Sequence, residues 1–135
     1  MTQITIPANL ERLHDVFEFV TGFMENKQIS TEHQGKIKIA AEEVFVNIAS
    51  YAYPSDEGDV TVRLSMSSGS IAIEFRDSGI PYNPLTKPDP DTSLPIEERD
   101  IGGLGIYFAK KMMDNMEYRY ENGENILIIT KDLVQ

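Results

Sequence analysis

The chain has 135 residues, 41% hydrophobic and 25% charged, which is the size of one domain and enough to bury roughly two thirds of its unfolded surface without a staple. With 12 Lys+Arg against 22 Asp+Glu the formal net charge is −10, a field that repels nucleic acid phosphates and anionic lipid. The absence of cysteine excludes disulfides, zinc-thiolate sites and thiol chemistry. No basic-then-apolar start and no run of 18 apolar residues occurs, so a single cytoplasmic domain over 1–135, without membrane or direct nucleic acid contact, is the expectation.

The predicted elements follow in chain order. Gln3 to Ile6 alternate polar and apolar up to Pro7 and read as a short edge strand. Asn9 then caps a helix from Leu10 to about Asn26, with Leu13, Val16, Phe17, Val20 and Phe23–Met24 on its buried face. Thr31 is the expected N-cap of a second helix, whose apolar stripe is Ile37, Ala40, Ala41, Val44, Phe45, Ile48 and Ala52, stopped by Pro54. After Gly58 the period becomes two: Val60, Val62, Leu64 and Met66 share one face, and a Ser67-Ser68-Gly69-Ser70 turn leads into Ile71, Ile73 and Phe75. Asp77 to Asp100 holds five prolines and reads as a lid or binding loop. A third helix opens at Ile101-Gly102-Gly103-Leu104-Gly105, and a second hairpin, Met116–Tyr120 with Asn125–Thr130, turns about Asn122-Gly123. Strand, two helices, two strands, loop, helix and two strands make an α+β two-layer sandwich, a mixed or antiparallel sheet with three helices on one face.

Three features carry chemistry. On the second helix, Glu42 points away from the apolar stripe, whereas Glu43 and Asn47 lie together on its shoulder one turn apart. They form either a snorkelling boundary pair or a carboxylate and carboxamide presented at the helix–sheet rim. Strand parity puts Asp77 on the core-facing side with Ile71, Ile73 and Phe75, where it must close an Asx-turn or meet a ligand. Gly79 beside it allows close approach. Gly102, Gly103 and Gly105 enter a helix whose N-terminal N–H groups suit phosphate. No Gly-Lys-Ser/Thr follows, so this is not a Walker loop, and no strand immediately precedes it as a dinucleotide fingerprint requires. His14 and His33 lack partners at metal spacing. Met24, Met66, Met112, Met113 and Met116 fit core periodicity. No Gly-x-Ser-x-Gly elbow supports a hydrolase.

The order Glu43-x-x-x-Asn47, Asp77-x-Gly79, loop, Gly103-x-Gly105 resembles the N, G1 and G2 boxes of the GHKL (histidine-kinase-like) ATPase superfamily over almost the whole chain. It is most similar to the anti-sigma factor serine/threonine-protein kinases, through Ala40 to Asn47, Tyr51-Ala52-Tyr53, Phe75 to Pro84 and Gly102 to Ile106. The resemblance implies the histidine-kinase-like fold, with the G1 turn and ATP lid at 76–102. It implies ATP and Mg²⁺ as cofactors, Asp77 on the adenine amino group, Gly79 lining the base pocket and Asn47 as the Mg²⁺ ligand. Glu43 would be the general base, Gly102, Gly103, Leu104 and Gly105 would hold phosphates, and Thr130 would be the pocket threonine. Asp100-Ile101 departs from the basic or small residue common before the glycines, and Arg99 is the candidate phosphate-facing cation. The implied partners are a small STAS-type anti-anti-sigma protein as phosphoacceptor and a sigma factor, and a homodimer is frequent in this branch. Two functions remain: a kinase of this kind, or a partner-switching module that acts by sequestration alone. The retained Glu43 favours the first.

Overall fold

The computed structural model describes residues 2–54, 57–86 and 101–133, with side chains of the last stretch described from Gly105 onward. Its elements are β1 (Thr2–Pro7), a 3₁₀ turn (Leu10–Arg12), α1 (Leu13–Asn26), α2 (Thr31–Tyr51), β2 (Asp59–Ser67), β3 (Ser70–Asp77), a second 3₁₀ turn (Pro84–Thr86), α3 (Ile101–Met112), β4 (Asn115–Glu121) and β5 (Glu124–Asp132). The sheet runs in the order β1-β2-β3-β5-β4, and every neighbouring pair is antiparallel. The expected two-layer α+β sandwich is therefore the fold, and its sheet is antiparallel throughout.

Two short turns fix the strand pairing locally. Ser68 (φ 51°) with Gly69 (φ 82°), and Asn122 (φ 53°) with Gly123 (φ 80°), form two-residue hairpin loops with both central residues left-handed. That backbone twist matches the twist of the flanking strands. The resulting registers place Leu64 opposite Ile73 and Tyr118 opposite Leu127. Val60, Val62, Leu64, Ile71, Ile73, Phe75, Leu127 and Ile129 are consequently buried on one sheet face. Val16, Val20 and Met24 of α1, Ile37, Val44 and Phe45 of α2, and Ile106 and Ala109 of α3 are buried in the same core.

Element ends differ slightly from the sequence expectation. Ser30, not Thr31, caps α2: its backbone is extended (ψ 151°) and its hydroxyl accepts from His33 N at 3.3 Å, the geometry that satisfies an orphan N–H in the first turn. Asn9 caps as expected, accepting from Glu11 N at 3.1 Å, but the segment it opens is a 3₁₀ turn and the α-helix starts at Leu13. Pro7 belongs to β1, opposite Asp59, which an edge strand tolerates at its end. Met66 is 39% exposed because it stands at the hairpin end of β2, so it is not core. Most of the expected lid, including Arg99 and Asp100, lies outside the described residues. No described helix is long and apolar enough to cross a membrane.

Candidate nucleotide site

The site lies where the C-terminal half of α2 covers the ends of β3 and β5. Strand parity carries Asp77 to the core side, as Ile71, Ile73 and Phe75 require, and it is 5% exposed. Its Oδ1 accepts from Gly79 N at 2.9 Å and from Asn125 Nδ2 at 2.9 Å. The Asx-turn is thus present, and so is a buried carboxylate. Both hydrogen bonds fall on one oxygen, and no described residue donates to Oδ2. Burial holds the Asp77 carboxyl above its ordinary value, with the hydrogen bonds from Asn125 and Gly79 opposing that shift.

Asp77 opens into a cavity between α2, the strands and the Ile80–Pro84 segment. Ile48, Ala52, Phe75, Ile80 and Leu127 line its walls, Tyr51, Tyr82 and Tyr118 add aromatic surface, and Asn47 and Asn125 join Asp77 as its polar groups. Tyr51 and Tyr82 pack with ring centroids 6.2 Å apart at 43°. Largely apolar walls with a few convergent polar groups are what a flat heteroaromatic ligand needs.

Glu43 lies one turn N-terminal of Asn47 on α2, beyond the cavity. It is half-buried against α3: a Cβ built on Gly105 would come within 2.6 Å of Glu43 Oε2. Burial raises the Glu43 carboxyl above its ordinary value, and the neighbouring Glu42 charge raises it further. Glu42 itself is half-buried, where the helical wheel predicts full solvation. Gly102, Gly103 and Leu104 form the first turn of α3.

Gly79, next to the cavity-lining Asp77 and Ile80, turns its open side to the end of α2. A Cβ there would fall 2.2 Å from Ala52 O, and Ile80 N donates to that same carbonyl at 2.9 Å. Thr130 is displaced from the expected role. It pairs with Ala72 across β3 and β5, which puts it on the sheet face opposite Asp77, since directly paired residues share a face. Asn125 is the β5 residue opposite Asp77.

Two positioning residues were missed by inspection of the sequence. Asn125 is 7% exposed, and its signal was parity: it is the polar residue in the series that continues through Leu127 and Ile129. Tyr53 had no such signal. Its hydroxyl donates to Asp59 O at 2.7 Å and accepts from Ser78 N at 2.8 Å, tying the β2 entry to the turn after Asp77. Gly58 makes room for the ring, since a Cβ there would lie 2.1 Å from Tyr53 Cε1.

Comparison with known proteins gives a consistent picture. A family model described as the histidine kinase-like ATPase domain matches residues 6–131. The protein named serine-protein kinase RsbW from Bacillus mycoides (strain KBAB4) is 26% identical over 130 residues, which are 93% of this chain and 81% of that protein. Its namesake from Bacillus cereus (strain AH820) is 25% identical over the same coverage. Among solved structures, the RsbU and RsbW domains of Rv1364c from Mycobacterium tuberculosis superpose on all of this chain with a TM-score of 0.65 at 14% identity. The present chain spans 33% of that longer one, so this likeness speaks for the fold.

Proposed function

The chain belongs to the histidine kinase-like ATPase domain family, and from that premise we propose that it is an ATP- and Mg²⁺-dependent protein serine/threonine kinase. In this reading it acts in the cytoplasm as an anti-sigma factor in a partner-switching system, phosphorylates a small STAS-type anti-anti-sigma protein and alternately holds a sigma factor. Its similarity to proteins named serine-protein kinase RsbW supports the choice of reaction. The observation that carries it is the arrangement on α2: Glu43 against Gly105 of α3, and Asn47 one turn on, at the cavity that contains Asp77.

The chemistry follows from these groups. The adenine ring enters between the apolar and tyrosine walls, and Asp77 Oδ2 accepts a hydrogen bond from the exocyclic amine. Among the described residues no cluster of three or more His, Asp or Glu side chains could hold a metal by itself. A single carboxamide oxygen, from Asn47, suits Mg²⁺, which keeps waters and takes its remaining ligands from phosphates. Bound Mg²⁺ would offset charge on the triphosphate. The N–H groups of Gly102, Gly103 and Leu104 point along the start of α3, where a helix favours phosphate oxygens.

Glu43 accepts the proton of the acceptor serine or threonine hydroxyl as its oxygen attacks the γ-phosphorus; the new O–P bond forms, the β–γ bridge breaks and ADP departs. A carboxylate raised by burial is a better base for that task than a solvated one.

Calorimetric titration with ATP, with and without Mg²⁺, beside Asp77→Asn tests the site. Transfer of label from γ-labelled ATP to a purified STAS-type protein, by wild type and by Glu43→Ala, tests the reaction. The expected result is Mg²⁺-dependent binding lost in Asp77→Asn, and transfer lost in Glu43→Ala with ATP affinity retained. Binding without transfer by the wild type would instead leave a module that acts by sequestration.

A further inference from the structure

Asn125 uses every hydrogen-bonding valence of its carboxamide on the protein. Nδ2 donates to Asp77 Oδ1 and to Ile80 O, each at 2.9 Å. Oδ1 accepts from Tyr82 N at 3.1 Å and from the Tyr118 hydroxyl. Two acceptors face the amino end and two donors face the oxygen, so the amide orientation is dictated by its partners. A carboxamide saturated in this way has nothing left to offer a ligand, although it stands at the cavity wall.

Its effect must therefore run through what it holds. The hydrogen bond from Asn125 occupies Asp77 Oδ1 together with Gly79 N, which restrains rotation of the carboxylate and leaves Oδ2 as the oxygen not used by either bond. The bonds to Ile80 and Tyr82 fix the segment that forms the cavity's outer wall. An acceptor held at one point distinguishes a ligand that brings an N–H there from one that brings a carbonyl oxygen, because the mismatched pair leaves a buried acceptor facing an acceptor.

Resting on the nucleotide reading above, we propose that Asn125 is the positioning residue that makes this site select a 6-aminopurine over a 6-oxopurine. It does so by pinning Asp77 and the Ile80–Tyr82 wall rather than by touching the base.

The test compares ATP with ITP, which differ only in amine against carbonyl at the purine 6-position. Calorimetric Kd values with Mg²⁺ would be measured for wild type, Asn125→Ala and Asn125→Asp, with folding checked by circular dichroism. Wild type should prefer ATP by about 100-fold, and Asn125→Ala should cut that ratio at least about tenfold by freeing Asp77 and stripping Ile80 O and Tyr82 N of partners. Asn125→Asp gives a readout that a packing role would not move: it keeps the side-chain volume and the acceptor for Tyr82 N and the Tyr118 hydroxyl, but sets an acceptor oxygen where Asn125 Nδ2 donates to Asp77 Oδ1 and Ile80 O. With the packing kept and only those donors lost, its ratio should fall at least about tenfold as well.

An Asn125→Ala ratio within twofold of wild type overturns the proposal, and so does an Asn125→Asp ratio within twofold of wild type. The second variant decides the matter if the first does not fold. Failure of wild type to bind either nucleotide overturns this proposal together with the nucleotide reading, a result distinct from binding that ignores residue 125.

Discussion

Gly105 of α3 leaves open the space that the Glu43 carboxylate of α2 occupies: a methyl group there would stand 2.6 Å from Oε2. A glycine expected to serve a phosphate thus also sets where the carboxylate of another helix rests. Because the clash falls on the far end of a flexible side chain, Gly105→Ala should fold, and higher helix propensity can add up to about 1 kcal/mol. Phosphotransfer should fall at least about tenfold as Glu43 is turned from its place, with the Kd for ATP changed little. Thermal melts beside single-turnover transfer would check this, and unchanged transfer would remove the significance given to the contact.

Gly79→Ala should behave in the opposite manner. Here the added carbon meets the backbone of Ala52, 2.2 Å from its carbonyl oxygen, and backbone cannot rotate away. Stability should drop by about 2–3 kcal/mol, since the Ile80 N to Ala52 O hydrogen bond must break as the turn shifts. Urea unfolding of the two glycine variants side by side would show the contrast.

Asp77→Asn carries a prediction about pH. The folded carboxyl titrates above its ordinary value of 3.8 because it is buried, so the ionised form is disfavoured in the folded state. Its contribution to stability is fully present below pH 3.8 and is lost as pH rises through the folded value. The asparagine keeps an acceptor for Gly79 N and Asn125 Nδ2 but cannot ionise. It should therefore make the apo protein as stable as wild type or more so at pH 7, with the advantage vanishing in acid. Affinity for ATP should nevertheless fall at least about 30-fold, because the amide presents a donor where an amine must donate. Melting temperatures at pH 7 and pH 4, with calorimetry at pH 7, would separate the two effects.

Glu42 bears on Glu43 through charge alone. Burial is the larger cause of the raised Glu43 value, and the Glu42 charge adds to it. In Glu42→Gln the ionised form of Glu43 becomes easier to reach, so the acid limb of the transfer rate against pH should move to lower pH. An acid limb that stays in place or moves upward would show that Glu43 is not the group titrating.

Tyr53→Phe removes a hydroxyl that joins Asp59 O to Ser78 N and leaves the ring over Gly58. Water can replace part of the loss at this exposed site, so the cost should be about 1 kcal/mol in stability. Weakened ATP binding by a few-fold should accompany it, as the turn beyond Asp77 loses one tether. Hydrogen exchange at Ser78 gives the direct reading.

The helices, the strand faces and both hairpins were legible because they rest on local periodicity and on turn residues with left-handed backbone, such as Ser68-Gly69 and Asn122-Gly123. The same local rules placed Glu43 and Asn47 one turn apart and put Asp77 on the buried face. None of that says which residue of β5 stands opposite Asp77. That depends on a chain crossing that brings β5 beside β3 and on a register joining positions 48 apart, and it is this register that puts Asn125 on the Asp77 face and Thr130 on the other. Gly79 against Ala52 and Gly105 against Glu43 are likewise contacts between distant elements. Spacing along a chain fixes which way a side chain points within its own helix or strand, but what it meets is set by packing among elements that no local pattern encodes.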